Sequence, residues 1–146
     1  MLRYQGYIQA LKDNGKPIID DLVMHMNGPD DAYNMETGYR LMKQLMEKEQ
    51  PFTAVYAIAD SIALGACRAI REAGKTIPED YAVAGFDGIE MGAYYVPSLT
   101  TIRQPVEEMA KTMIRLLFDI IKKEGGHKMV ILPASLLERE STQKIN

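Results

Sequence analysis

Apolar residues recur along this chain at two periods, broken by Gly and Pro. Over residues 3–13, Tyr7, Ile8 and Leu11 fall on one helical stripe that Asn14-Gly15 ends. Residues 18–25 read as an extended segment, weakened by Asp20-Asp21. The spacing predicts a helix over about 32–48, with Met35, Tyr39, Met42, Leu45 and Met46 on one side. Thr53 to Ile58 is a continuous apolar run, the pattern of a strand covered on both faces. A helix over 61–73 follows Asp60-Ser61 and stops at Gly74. Tyr81 to Phe86 forms a second buried strand, closed by the turn Asp87-Gly88. Thr100 to Arg103 makes a short strand, and Pro105 then opens a long helix. Glu107-Glu108 near its start and Lys122-Lys123 at its end both suit the helix dipole, and Gly125-Gly126 stops it. Val130 to Leu132 and Leu136 to Glu138 form a last extended piece, broken at Pro133. Alternating strands and helices predict an α/β fold, a mostly parallel sheet flanked by helices.

Two helices carry more than their own existence. In helix 61–73, Ile62, Ala66, Ala69, Ile70 and Ala73 form the stripe that faces the sheet. Leu64 shares a stripe with Arg68, Arg71 and Lys75 and is expected to point outward. A lone exposed Leu is unremarkable. Joined to the apolar loop Tyr94-Tyr95-Val96 it makes a patch, and patches mark partner surfaces. Leu64, Arg68 and Tyr95 are therefore the expected two-fold interface of a homodimer. Helix 106–123 carries Val106, Met109, Ala110, Met113, Ile114, Leu117, Ile120 and Ile121, with Leu116 and Phe118 widening the band. So broad a band needs cover, and the helix is expected to fold back onto this domain or to be covered by another chain.

Composition narrows the function. The 146 residues suffice for one domain with a sizeable core. Net charge is −3, and Lys and Arg alternate with Asp and Glu, so no basic stripe exists to grip DNA. The single cysteine, Cys67, allows neither an internal disulfide nor a cysteine metal site, and its Ala-rich surroundings make it a small buried residue. The opening MLRYQGY has no signal-peptide stretch, and no window approaches a membrane span. A cytoplasmic protein without membrane contact is the expectation.

In open α/β sheets ligands bind beyond the carboxyl ends of the strands. Asp60 and Asp87 occupy that position, where a carboxylate can accept from sugar hydroxyls or a ring N–H. Each could equally cap the helix or turn that follows, and for Asp60 the immediate helix start favours the cap. No catalytic set emerges. His25 and His127 have neither triad nor metal-ligand spacing, and Gly85-Phe86-Asp87-Gly88 lacks the third glycine and the lysine of a phosphate loop. No enzyme activity, cofactor or metal is expected.

Five ordered motifs carry a family resemblance. Arg3-Tyr4-Gln5-Gly6-Tyr7 with Ala10-Leu11 opens the chain, and the run Thr53 to Ala66 holds a strand, Ala59-Asp60 and a helix. Gly74-Lys75-Thr76-Ile77-Pro78-Glu79-Asp80 leads into Tyr81 to Asp87. Pro97-Ser98-Leu99-Thr100-Thr101-Ile102-Arg103-Gln104-Pro105 and the closing Leu132-Pro133, Leu137 to Thr142 complete the set. Together they cover nearly the whole chain and resemble the C-terminal lobe of the effector-binding domain in LacI/GalR-family transcription regulators.

The resemblance implies a type I periplasmic-binding-protein-like lobe over 1–103 and 129–142. Residues 104–125 would be the hinge crossing and a helix that belongs with a first lobe. It implies a small-molecule effector, carbohydrate or nucleoside-like, held between two lobes of a homodimer. Operator DNA would be reached only through an N-terminal helix-turn-helix that precedes this chain. Arg3 would reach the effector with its guanidinium, Tyr33 would give a stacking face, and Asp87 would accept ligand protons, with Asp60 beside it. Sugar-responsive members often place Asn where this sequence has Ala59, which disfavours a plain hexose. Gly88 replaces a frequent second acidic residue. A sugar-binding protein of a transport system, built on the same two-lobe fold, is the competing expectation.

Overall fold

Three strands run parallel in the order in which they occur: β1 (Ala54–Tyr56), β2 (Ala82–Asp87) and β3 (Thr100–Arg103). A fourth, β4 (Ser135–Leu137), returns antiparallel beside β3. The helices are α1 (Leu2–Asp13), α2 (Met35–Met46), α3 (Asp60–Glu72), the short α4 (Met91–Tyr94) and α5 (Val106–Ile121). The computed structural model describes residues 2–26, 28, 31–122 and 129–143. His127, Lys123 and the Gly125-Gly126 stop lie outside them. The mostly parallel α/β sheet expected from the sequence is what forms.

Register and alternation assign the two faces of the sheet. Val55 pairs with Val83 and Gly85 with Thr101, so these side chains share one face. Over that face α3 lays Ile62, Ala63, Ala66, Ala69 and Ile70, all buried. Across α3 lies α2, its start capped by the Asn34 side chain, which accepts from the Thr37 amide at 2.9 Å. The two helices meet backbone to backbone. A Cβ on Gly38 would stand 2.1 Å from the Ile62 carbonyl oxygen, and one on Gly65 would stand 1.9 Å from that of Met35. This close crossing turns Thr37, Gly38, Leu41, Met42 and Leu45 inward; of the stripe read from spacing, Met42 and Leu45 are buried, Tyr39 and Met46 half-buried, and only Met35 is exposed.

The same crossing corrects Leu64. It is not outward-facing but only 3% exposed, within the core. Cover reaches its stripe from both sides: the Arg68 guanidinium lies over the Tyr39 ring of α2, and that of Arg71 over the Tyr95 ring. Helical spacing sees only one helix and cannot register a second one arriving at this distance.

Two further expectations are corrected at the sheet's first edge. Residues 18–25 are extended at Ile19 and Val23 but interrupted at Asp20–Leu22 by a 3-10 turn, and they do not join the sheet. Thus β1 is an edge strand with one face open: Ala54 and Tyr56 are exposed and only Val55 is half-buried. At the other end of the chain the closing motif acts as a pin. The fully buried Ser141 donates to the Val83 carbonyl at 2.6 Å and accepts from the Thr100 amide at 2.8 Å, tying β2 to β3.

Nor does α5 fold back. None of its residues is buried, and Val106, Met113, Ile114, Leu117, Phe118, Ile120 and Ile121 are all more than half exposed. The link into the helix is short and fastened. Gln104 is bonded to Asp87 through both its amide N–H and its side chain, and Pro105 starts the helix at once.

Candidate functional site

The site gathers where β2 ends and α1 begins. Along α1, Arg3 lies one turn before Tyr7, whose ring stacks on Tyr56 of β1 at 6.5 Å between centroids. That packing brings the Arg3 side chain over the carboxyl edge of the sheet. One of its guanidinium nitrogens donates to the Ile58 carbonyl, and another lies 3.6 Å from Asp87 Oδ1. The guanidinium carbon sits 3.8 Å from the centre of the Phe86 ring, a cation–π contact. Asp87 Oδ1 also accepts from Gln104 Nε2 at 2.7 Å. Arg3 and Asp87, singled out in the sequence, are thus brought together, and about a third of each side chain remains open to solvent.

Asp87 holds an unusual backbone. Its φ of 127° is the only positive value for a non-glycine among the described residues. Such conformations cost about 1–3 kcal/mol and persist only where surrounding structure enforces them. The next residue, Gly88, has φ 78°, and a Cβ there would lie 2.8 Å from the Arg103 Cα. Gly88 therefore answers a steric demand of the turn, and an acidic residue does not fit this backbone.

Asp60, the second acidic residue at this edge, is fully buried, and both its oxygens are engaged within the chain. It is not a helix cap: Ala59 stands at that position, 3% exposed and without a side-chain cap bond, and Asp60 is the first helical residue. Its Oδ2 accepts from the amides of Gly88 and Ile89 at 2.8 Å each, and its Oδ1 accepts from Thr101 Oγ1 at 2.6 Å. Gly85 makes room for this, since a Cβ there would stand 2.2 Å from Asp60 Oδ1. All three donors lie 28 to 41 residues away along the chain, beyond the reach of local spacing.

Tyr33 stands at the rim. Its carbonyl accepts from Ser61 Oγ at 2.8 Å, which places it at the start of α3. The residue is 61% exposed. Sequence reading missed Phe86, Gln104 and Tyr56. Burial pushes the Tyr56 phenol above its ordinary value, the Arg3 charge lowers it and the Asp87 charge raises it, so Tyr56 lies within the field of the pair. Apolar runs hide such residues, because a strand aromatic reads as core.

An apolar void lies elsewhere. It measures about 600 Å³ and is lined by Tyr4 and Tyr7 of α1, the stretch Leu22 to Met26, and the open side of β1. Neither Arg3 nor Asp87 lines it, and its walls are mostly apolar. No group of three His, Cys, Asp or Glu side chains able to hold a metal occurs among the described residues. Burial pushes the Cys67 thiol up to about 12, in keeping with a small core residue. No described helix is long and apolar enough to cross a membrane.

The three residues expected at a dimer interface do not form one exposed patch. Leu64 is buried, Tyr95 is half-buried, and Arg68 is exposed but bonded to Glu72 at 2.9 Å. Nearby, Tyr94 and Val96 are 79% and 70% exposed.

A mostly parallel sheet flanked by helices, with a guanidinium–carboxylate pair at its carboxyl edge, is a periplasmic-binding-protein-like arrangement. The chain belongs to the periplasmic binding protein-like domain family, whose family model matches residues 1–142. It is 40% identical over 139 residues to the HTH-type transcriptional regulator MalR of Clostridium butyricum, covering 95% of this chain and 40% of that protein. To the HTH-type transcriptional repressor PurR of Photorhabdus laumondii it is 35% identical over 140 residues, with the same two coverages. Among solved structures, the transcriptional regulator CelR in complex with cellobiose superposes with a TM-score of 0.87 at 33% identity, over 95% of this chain and 41% of that one. A LacI family transcriptional regulator from Enterococcus faecium with bound ribose gives 0.81 at 35% identity, over 96% and 50%. The chain thus spans about 40% of the length of the curated relatives it matches. These relatives are LacI-family regulators, as the five motifs imply, and not transport proteins or enzymes.

Proposed function

We propose that this chain is the effector-sensing C-terminal lobe of a LacI/GalR-type transcription regulator that works in the cytoplasm. The observation that carries the proposal is the Arg3–Asp87 pair at the carboxyl edge of β2, flanked by Phe86 and Gln104. A guanidinium donates in a fixed fork, a carboxylate accepts, and the exposed Tyr33 ring offers a face for stacking. That donor–acceptor–aromatic set suits a carbohydrate or a nucleoside-like molecule. Two structural neighbours were solved with cellobiose and with ribose, which supports the sugar side of this class. In the whole protein a first lobe closes over this edge, and 104–125 forms the hinge crossing and the helix that packs on it. DNA contact falls to a helix-turn-helix outside the chain, in line with the low net charge here. The homodimer surface centres on exposed Tyr94 and Val96, bordered by Arg68 and Tyr95, with Leu64 supporting it from within.

Calorimetry on the whole regulator with cellobiose, ribose and guanosine tests the site. One of these classes should bind, and Asp87→Ala and Arg3→Ala should each weaken that binding by about 1–3 kcal/mol while the circular dichroism spectrum stays unchanged. Wild-type affinity in both variants would show that the site lies elsewhere.

A further inference from the structure

We propose that Asp60 is a positioning residue, whose buried carboxylate holds the 87–89 turn in the conformation that presents Asp87 to Arg3 and Gln104. What Asp87 is for rests on the effector reading above; that Asp60 shapes its turn does not. The argument starts from the backbone. Asp87 adopts a φ of 127°, which its own side chain disfavours, so something outside the turn must hold it. The next two amides, Gly88 and Ile89, both donate to the same oxygen of Asp60 at 2.8 Å. The other oxygen accepts from Thr101 Oγ1 at 2.6 Å, and that hydroxyl is itself 3.3 Å from the Gly88 amide. Asp60, Thr101 and the two amides make one closed network joining α3, β3 and the turn.

Three features suit this network to fixing geometry. The carboxylate is fully buried, so water does not compete for its oxygens. It sits on the first residue of α3, where the helix dipole favours a negative charge. Hydrogen bonds to a charged acceptor are roughly twice as strong as neutral ones, so one residue can hold two consecutive amides. On the far side of the turn, Asp87 is in register with Arg103, and Gln104 bonds both its carbonyl and its carboxylate. The turn is therefore gripped from behind by Asp60 and from the front by Gln104. The Asp60 carboxylate bonds to the Gly88 and Ile89 amides and to Thr101, so its influence on Asp87 passes through the backbone it holds.

The test needs no effector. In the full chain, isotopically labelled, Asp60→Ala should speed amide exchange at Gly88 and Ile89 by roughly tenfold, with protection in α2 retained. The Asp87 coupling constant should move away from a positive φ, and the Gln104 side-chain amide signals should shift although Asp60 does not touch them. Asp60→Asn should largely rescue all three, because a carboxamide oxygen still accepts from both amides while its N–H meets Thr101 Oγ1. If Asp60→Ala does not fold, Thr101→Val should move the same signals by a smaller amount. A remote core variant, Leu45→Ala, controls for general loosening. The proposal is overturned if the folded Asp60→Ala protein, or Thr101→Val in its place, leaves these signals at wild-type values, or if Leu45→Ala moves them equally. Effector binding by Asp87→Ala, measured separately, bears only on the site reading.

Discussion

The isolated chain should self-associate through α5, and replacing Leu117 and Ile121 together by glutamate should return it to a monomer. Seven large apolar side chains on this helix are more than half exposed. Fully burying one such side chain is worth about 1.5–3 kcal/mol, so covering what remains exposed on seven amounts to roughly 6–13 kcal/mol before ordering costs are subtracted. Few exposed surfaces on a single domain offer as much, and association is the direct way to recover it. Sedimentation over a concentration series reads the outcome. On the reading proposed above, the whole regulator should not show the effect, since a first lobe would cover this face. A chain that stays monomeric at every accessible concentration, and binds no hydrophobic dye, would remove the idea that this face awaits a partner.

Leu64→Lys should unfold the domain instead of merely separating two subunits. A surface leucine at an interface would tolerate the change in the monomer, but here the side chain is 3% exposed within the core. Truncating such a residue costs about 2–5 kcal/mol, and an unpaired ammonium in its place adds a desolvation penalty. Against a total stability of typically 5–15 kcal/mol, little folded protein should remain. Leu64→Met, close in volume, should cost less than about 1.5 kcal/mol. Denaturant titration of the three proteins decides the matter. If Leu64→Lys keeps the wild-type midpoint and changes only the oligomeric state, Leu64 is an interface residue after all.

The contrast between these positions shows what a one-dimensional pattern can carry. The β3 bounds, Thr100 to Arg103, emerge as expected because Pro97 and Pro105 bracket a short β-branched run. Helix α3 emerges because its Ala- and Ile-rich stripe has one period and a glycine stop. Arg3 and Asp87 were legible through motifs, which carry long-range information that periodicity lacks. What stayed hidden depends on a second element arriving. Leu64 is covered because Gly38 and Gly65 let two helices touch, and Asp60 is consumed by donors from a turn and a strand elsewhere in the chain. The open face of β1 has the same origin, since coverage of a strand is a property of its neighbours.

The contact between Gly38 and Gly65 also limits how this domain can drift in sequence. Most packed positions can change by small compensated steps, one side chain shrinking as its neighbour grows. Here each Cβ would meet a main-chain carbonyl oxygen, at 2.1 Å from Ile62 and 1.9 Å from Met35. No second-site side-chain replacement can make room, because the obstacle is the main chain itself. Relief would require the whole of α2 to move outward, which would expose Leu41, Met42 and Leu45 together. The two sites therefore behave as one locked unit, in which the first substitution must already carry the full loss. Neutral change is free to wander over the rest of both helices, but it has no gradual path through this crossing.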